Sequence, residues 1–186
     1  MKRIYVFLMT LMLVLGLSVS GHATLMDMGD GTIYDTDLQL SWLQNANTNG
    51  QMNWSTAMSW ADALVFAGFD NWRLPTALNQ DGTGPCAGYN CTGSEMGHLY
   101  YTELGNTAGG PLMNVGDFIN LQPYDYWSGT EYAPNTYDAW GFYFYGGVQD
   151  AGGKGSSLYA LAVRPGERST SVPEPGTLLL LGSGLV

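Results

Sequence analysis

Few side chains in this sequence are of the types that carry chemistry unaided. It has two histidines, His22 and His98, and two cysteines, Cys86 and Cys91. Glu95 and His98 form an E-x-x-H pair on a helical pattern. Di-iron bundles use that pair in duplicate on facing helices, and here it occurs once, so His98 is expected to be structural and no metal or cofactor is expected. Asp27, Asp30, Asp35 and Asp37 crowd one stretch and invite calcium. Their spacing does not fit an EF-hand loop and no Glu closes one, so they are read as turn residues. The cysteines stand in CAGYNC with four residues between them. Two thiolates alone make no zinc site, and the C-x-x-C redox spacing is absent. A disulfide closing a small loop in an oxidising compartment is the expected state.

Arg73 and Arg164 stand out because each lies inside an apolar, strand-like stretch, WRLP and AVRP. A buried guanidinium must satisfy most of its five donors. Each is therefore expected to meet a carboxylate or several backbone carbonyls and to clamp strands to loops. Nothing supplies a nucleophile beside a base at recognisable spacing, so no catalytic residue is assigned. Carboxylate pairs among the 16 acids would have to be assembled by the fold.

The elements that must position these groups begin behind an export leader. Lys2 and Arg3, the apolar run Ile4 to Leu17 and the small residues Gly21-His22-Ala23 read as a signal peptide, residues 1–23. Its removal leaves four basic residues against 16 acids, a net charge of −12. That surface repels phosphate backbones and excludes nucleic acid as a partner. With 13% aromatics, 12% charged residues and 26 glycines, the chain suits a compact, loop-rich fold containing strands.

Turn residues flank Thr32-Ile33-Tyr34, and Leu38, Leu40 and Trp42 alternate with polar residues as a half-buried strand would. Asn53 or Ser55 caps a helix whose stripe is Ala57, Met58, Ala61, Leu64 and Val65, with Gly68 as its stop and Trp54 and Trp60 at its edges. Trp72-Arg73-Leu74 reads as a short strand ended by Pro75. After a long loop, 79–93, Ser94 caps a second helix, Glu95 to Leu104, stopped by Gly105. Further strands are expected at Tyr124–Ser128, Trp140–Tyr145 and Leu158–Arg164. Phe142 and Phe144 share one face of the middle one, Tyr143 and Tyr145 the other. The pattern is α+β, with two helices, short antiparallel strands and long loops.

FDNWRLPT (69–76), YWSGT (126–130), AWGFYF (139–144) and YALAVRP (159–165), in this order, resemble the Lcl C-terminal domain family. SEMGHLYYTELGN (94–106) looks like a version found in exported bacterial members. The resemblance spans about Gly29 to Pro165 and sets a domain at 24–165. It implies a C-type-lectin-like fold related to formylglycine-generating and sulfatase-modifying domains. In those relatives the Arg-Leu-Pro-Thr motif leads into a helix carrying acids, whereas Ala77-Leu78-Asn79-Gln80 follows here. The enzymes also use late cysteines, and no Cys follows Cys91. The resemblance therefore implies a non-catalytic relative.

A linker, 166–171, precedes Val172-Pro173-Glu174-Pro175-Gly176 and an apolar run to Val186. This resembles a PEP-CTERM sorting signal, which implies processing by an exosortase-type enzyme in a Gram-negative bacterium that makes extracellular polysaccharide. The family pattern continues through a longer span to an Arg-rich end. Ten residues follow Gly176, against about twenty for a bilayer span, so the signal is expected to be incomplete. The expectation is an exported cell-surface or extracellular-matrix protein, in contact with the membrane only through leader and tail. It would bind a glycan, such as extracellular polysaccharide, or another surface ligand without catalysis. The alternatives are a purely structural matrix component and an enzyme with a carboxylate-based site.

Overall fold

The computed structural model describes residues 25–166. The expected leader (1–23), the expected linker beyond Gly166 and the expected sorting tail with Val172–Pro175 lie outside the described residues. Among the described residues, seven antiparallel strands form two small sheets, joined by two helices and long loops, an α+β architecture. The first sheet contains β1 (Leu25–Asp27), β2 (Thr32–Asp35), β3 (Leu40–Leu43) and β7 (Val163–Pro165), in that order. The second contains β4 (Asp125–Glu131), β5 (Asp138–Tyr143) and β6 (Val148–Gly153). Because β7 pairs with β3, placing Arg164 opposite Ser41, the two ends of the domain meet in one sheet.

The hairpins form where their turn chemistry directs. Asp27 Oδ1 accepts the Gly29 N–H, Asp30 Oδ1 accepts both N–H and hydroxyl of Thr32, and Asp35 Oδ1 accepts the N–H groups of Asp37 and Leu38. Three of the four clustered aspartates thus hold turns. β3 departs from the half-buried expectation: all four of its residues are buried, Ser41 included. It is an inner strand between β2 and β7, and both its faces are covered.

Helix α1 runs Trp54–Asp62, with Asn53 accepting the Thr56 N–H at 2.9 Å as its N-cap. It buries Ala57 and Ala61, one turn apart, against Leu74, Trp127, Ala139 and Ala160. The stripe predicted a longer helix stopped by Gly68. Instead Phe66 and Phe69 exchange backbone hydrogen bonds across Ala67 and Gly68, whose φ values are 51° and 81°. Two consecutive positive φ values make a tight hairpin turn, so the chain reverses there and Val65 is left exposed.

Two segments expected to be strands cross between the sheets instead. In FDNWRLPT, Arg73 exchanges backbone bonds with Val163 beside the first sheet, at 2.8 Å each, and the Pro75 carbonyl accepts from Gly129 of β4 at 2.8 Å. Pro75 has no N–H, so the ladder cannot continue. Likewise Tyr159 bonds Asp125 and Trp127 of the second sheet, whereas Ala162 and Val163 bond the first. Both crossings are lined by core residues: Trp72, Leu161 and Val163 pack with Ile33, Trp42, Leu99, Tyr100, Tyr126, Phe142 and Phe144.

Strand β6, VQDAGG, was not anticipated because it has no apolar alternation. Its buried residue is Gln149, whose Nε2 donates to the carbonyls of Ala77 (3.0 Å) and Cys86 (2.7 Å). Its backbone also pairs with Gly88, so the Cys86–Cys91 loop docks on this edge. β5 is the central strand of its sheet, with Phe142 fully buried and Tyr143 on the outer face.

Candidate functional site

The disulfide between Cys86 and Cys91 is formed and fixes the loop in front of the second helix. Ser94 is that helix's N-cap: its hydroxyl accepts the Gly97 N–H at 3.2 Å and donates to the Cys91 carbonyl at 3.3 Å. Gly97 packs directly on the same carbonyl, and a Cβ there would overlap it. Helix α2 (Glu95–His98) thus starts seated on the disulfide loop.

That seating aims Glu95 at Arg73. Two parallel bonds join them, Nη1 to Oε2 at 2.8 Å and Nη2 to Oε1 at 2.7 Å. Nη1 also donates to the Leu74 carbonyl, and Glu95 Oε2 accepts the Thr76 N–H at 2.8 Å. Thr76 and Ala77 are in turn tied to the Thr130 hydroxyl of β4. Hydrogen bonding to Glu95 raises the Arg73 pKa against the opposing effect of burial. The ion pair is asymmetric: the Glu95 side chain is 11% exposed and that of Arg73 is 42% exposed. Glu95 and Thr76 line a cleft of about 400 Å³ together with Asp37, Leu78, Asn79 and Gln80. Arg73 borders a separate hollow of about 340 Å³ beside Met58, Gly129 and Thr130.

Arg164 solves the same problem differently. It is buried, donates from Nη1 to the Pro165 carbonyl at 2.8 Å, and places its guanidinium carbon 3.4 Å from the Phe69 ring centre. The sequence pointed to a carboxylate or carbonyls as partners, and the stacking on Phe69 was not foreseen.

The E-x-x-H pair does not act as a unit. Glu95 is taken by Arg73, and His98 Nε2 lies 3.2 Å from Glu103 Oε1 and 4.0 Å from Asp37 Oδ2. The backbone explains why Glu103 is within reach. After His98 the helix widens into a π-turn, Leu99–Glu103, closed by Leu104 N–H to Leu99 O. In a regular α-helix a residue five positions on lies about 140° around the axis. The wider turn brings it back towards His98. Burial, reinforced by the neighbouring charges of Asp35 and Asp37, pushes the Glu103 carboxyl up to about 8. Sequence reasoning missed Glu103. The available signal was Asp35, a charge inside TIYD, a strand whose four residues are all buried.

A third feature lies on the outer face of the second sheet. The rings of Tyr143 and Tyr145 stand 5.8 Å apart at 32° to each other. Gly146 fits between Tyr143 and Tyr89, with both rings within 4 Å of where its Cβ would lie. Tyr89 belongs to the disulfide loop and is 55% exposed, and Tyr145 is 47% exposed. The tryptophans contrast with these tyrosines. Trp42, Trp72, Trp127 and Trp140 are buried, and Trp54 and Trp60 are partly buried against the core, in keeping with their expected edge positions.

Together these features define a small α+β domain with a disulfide-closed loop, crossing segments that carry Arg73 paired with Glu95 and Arg164 stacked on Phe69, and an aromatic shelf facing solvent. The chain belongs to the Lcl C-terminal domain family, whose match covers residues 31–164. No curated protein matches it.

Proposed function

We propose that this is an exported surface or matrix protein whose domain binds a neutral polysaccharide and catalyses nothing. The shelf of Tyr89, Tyr143 and Tyr145 carries this reading. Exposed, neighbouring phenol rings offer flat apolar faces to sugar C–H groups, with hydroxyls at their edges for hydrogen bonding. The shelf lies at the β5–β6 turn, next to the edge strand on which the disulfide loop is docked, a rigid base for a recognition surface. A net charge of −10 for the full sequence disfavours anionic polymers.

Export is supported by the leader-like residues 1–23, by the disulfide and by the family. The lectin-like relationship implied by the sequence motifs fits this role, as does the PEP-CTERM-like motif Val172–Pro175, which would hand the chain to an exosortase-type enzyme. A non-catalytic role is supported by the engagement of the groups that could react: both cysteines are in the disulfide and His98 is paired with Glu103. The test is a glycan array probed with the exported chain, with and without calcium. Binding to neutral glycans in both conditions is expected. A blank array in both would sink ligand binding and leave a purely structural matrix component.

A further inference from the structure

Asp35, His98 and Glu103 each offer a ligand atom, and these atoms lie within 4.8 Å of one another. The cluster joins the end of β2 to the π-turn. Asp35 is fully buried and held from behind: its Oδ1 accepts two backbone N–H groups, and its Oδ2 the Trp42 indole N–H at 3.4 Å. The Glu103 side chain has no solvent exposure. Its Oε1 faces His98 Nε2, and its Oε2 has no hydrogen-bond partner. A buried, unpartnered carboxylate oxygen beside a second carboxylate is stable only when a proton or a cation neutralises the pair, and His98 supplies the third donor a cation would use. Asp37, with its side chain 45% exposed, stands at the open side, 4.0 Å from His98 Nε2.

We propose that this cluster is a binding site for a divalent first-row transition-metal ion. His98 Nε2 and the carboxylates of Asp35 and Glu103 are its ligands, and Asp37 closes the solvent side. One imidazole with two or three carboxylates suits Zn²⁺ or Mn²⁺, whose ligands sit at about 2.0–2.2 Å in small coordination shells. Calcium prefers six to eight oxygens, which this cluster does not assemble. The N–H groups behind Asp35 serve as the outer shell that orients a ligating carboxylate. The ion would pin the π-turn to the β2–β3 turn. This site is independent of the tyrosine shelf, and neither proposal needs the other.

The experiment is calorimetric titration of the chelator-treated exported chain with ZnCl₂, MnCl₂ and CaCl₂, with melting temperatures measured alongside. One equivalent of Zn²⁺ or Mn²⁺ is expected to bind and to raise the melting temperature, as any ligand of the folded state alone must. E103Q and H98Q should each weaken binding at least tenfold, while D150N on β6 leaves it intact. If E103Q does not fold, H98Q carries the test. Absence of stoichiometric binding would overturn the proposal, as would binding that survives H98Q, which would mark an adventitious surface ion.

Discussion

Replacing Arg73 by Lys keeps the charge and removes the fork that holds Glu95. The guanidinium gives Glu95 two bonds and the Leu74 carbonyl one. An ammonium on a flexible stem can keep one carboxylate contact but cannot reproduce the parallel pair. Breaking a fully buried ion pair costs about 3–5 kcal/mol. Arg73 is 42% exposed, so solvent screens much of that, and about 1–2 kcal/mol is the expected loss for Lys. Arg73→Ala leaves Glu95, 11% exposed, with only the Thr76 N–H among these bonds and should cost about 2–3 kcal/mol. For a chain of this size each kcal/mol lowers the melting temperature by about 2–4 °C. Thermal melts of Arg73→Lys, Glu95→Gln and the double variant form a cycle whose coupling should exceed about 1 kcal/mol. The clamp reasoning fails if Arg73→Lys melts like the wild type but loses binding to an anionic ligand. Arg73 would then be a recognition residue reached through the hollow beside Met58 and Thr130.

Replacing Cys86 and Cys91 together by Ser reopens a loop with a sequence separation of 5 and should cost about 2 kcal/mol in chemical denaturation, while an unchanged midpoint would show the loop held by its hydrogen bonds to Gln149, Ser94 and Tyr101. Gly97→Ala drives a Cβ into the Cys91 carbonyl, so the variant should melt well below the wild type, and an equal melting temperature would mean the helix start can shift at no cost. In chelator, Glu103 makes stability fall as pH rises. Below about 4.5 both states hold the proton. Between there and about 8 the folded form retains a proton that the unfolded chain releases, and the loss levels off above about 8. Glu103→Gln should flatten that profile and raise the melting temperature at alkaline pH, whereas identical profiles for the two proteins would place the carboxyl in its ordinary range.

Much of this architecture was legible because local chemistry and burial agree. Asn53 and Ser94 cap the helices where turn-forming side chains precede apolar periodicity. Phe142 is buried and Tyr143 partly exposed, as strand alternation requires, although β5 ends at Tyr143 and Tyr145 lies in the turn that follows. The misses share a physical cause. Trp72-Arg73-Leu74 and Leu158 to Ala162 have strand-like side chains, but their backbones divide their hydrogen bonds between two sheets, a tertiary outcome that side-chain order does not encode. β6 is recruited by backbone pairing and by the amide of Gln149, so its apolar pattern is silent. At the site, Arg73 was visible as a charge needing a partner, but Glu95, 22 residues away, was not identifiable as that partner. Glu103 was hidden by the π-turn, since helical spacing directs it away from His98.

The claim that the domain recognises neutral polysaccharide through its tyrosine shelf is tested most directly by affinity electrophoresis of the chain in gels containing the polysaccharides matched to its array ligands. The comparison is wild type against the Tyr89→Ala, Tyr145→Ala double variant, with melting temperatures recorded for both. Each stacked ring contributes on the order of 1 kcal/mol, so loss of two should weaken apparent affinity at least about tenfold without lowering the melting temperature, because both side chains are exposed. Equal retardation of the two proteins would contradict the shelf as the binding surface.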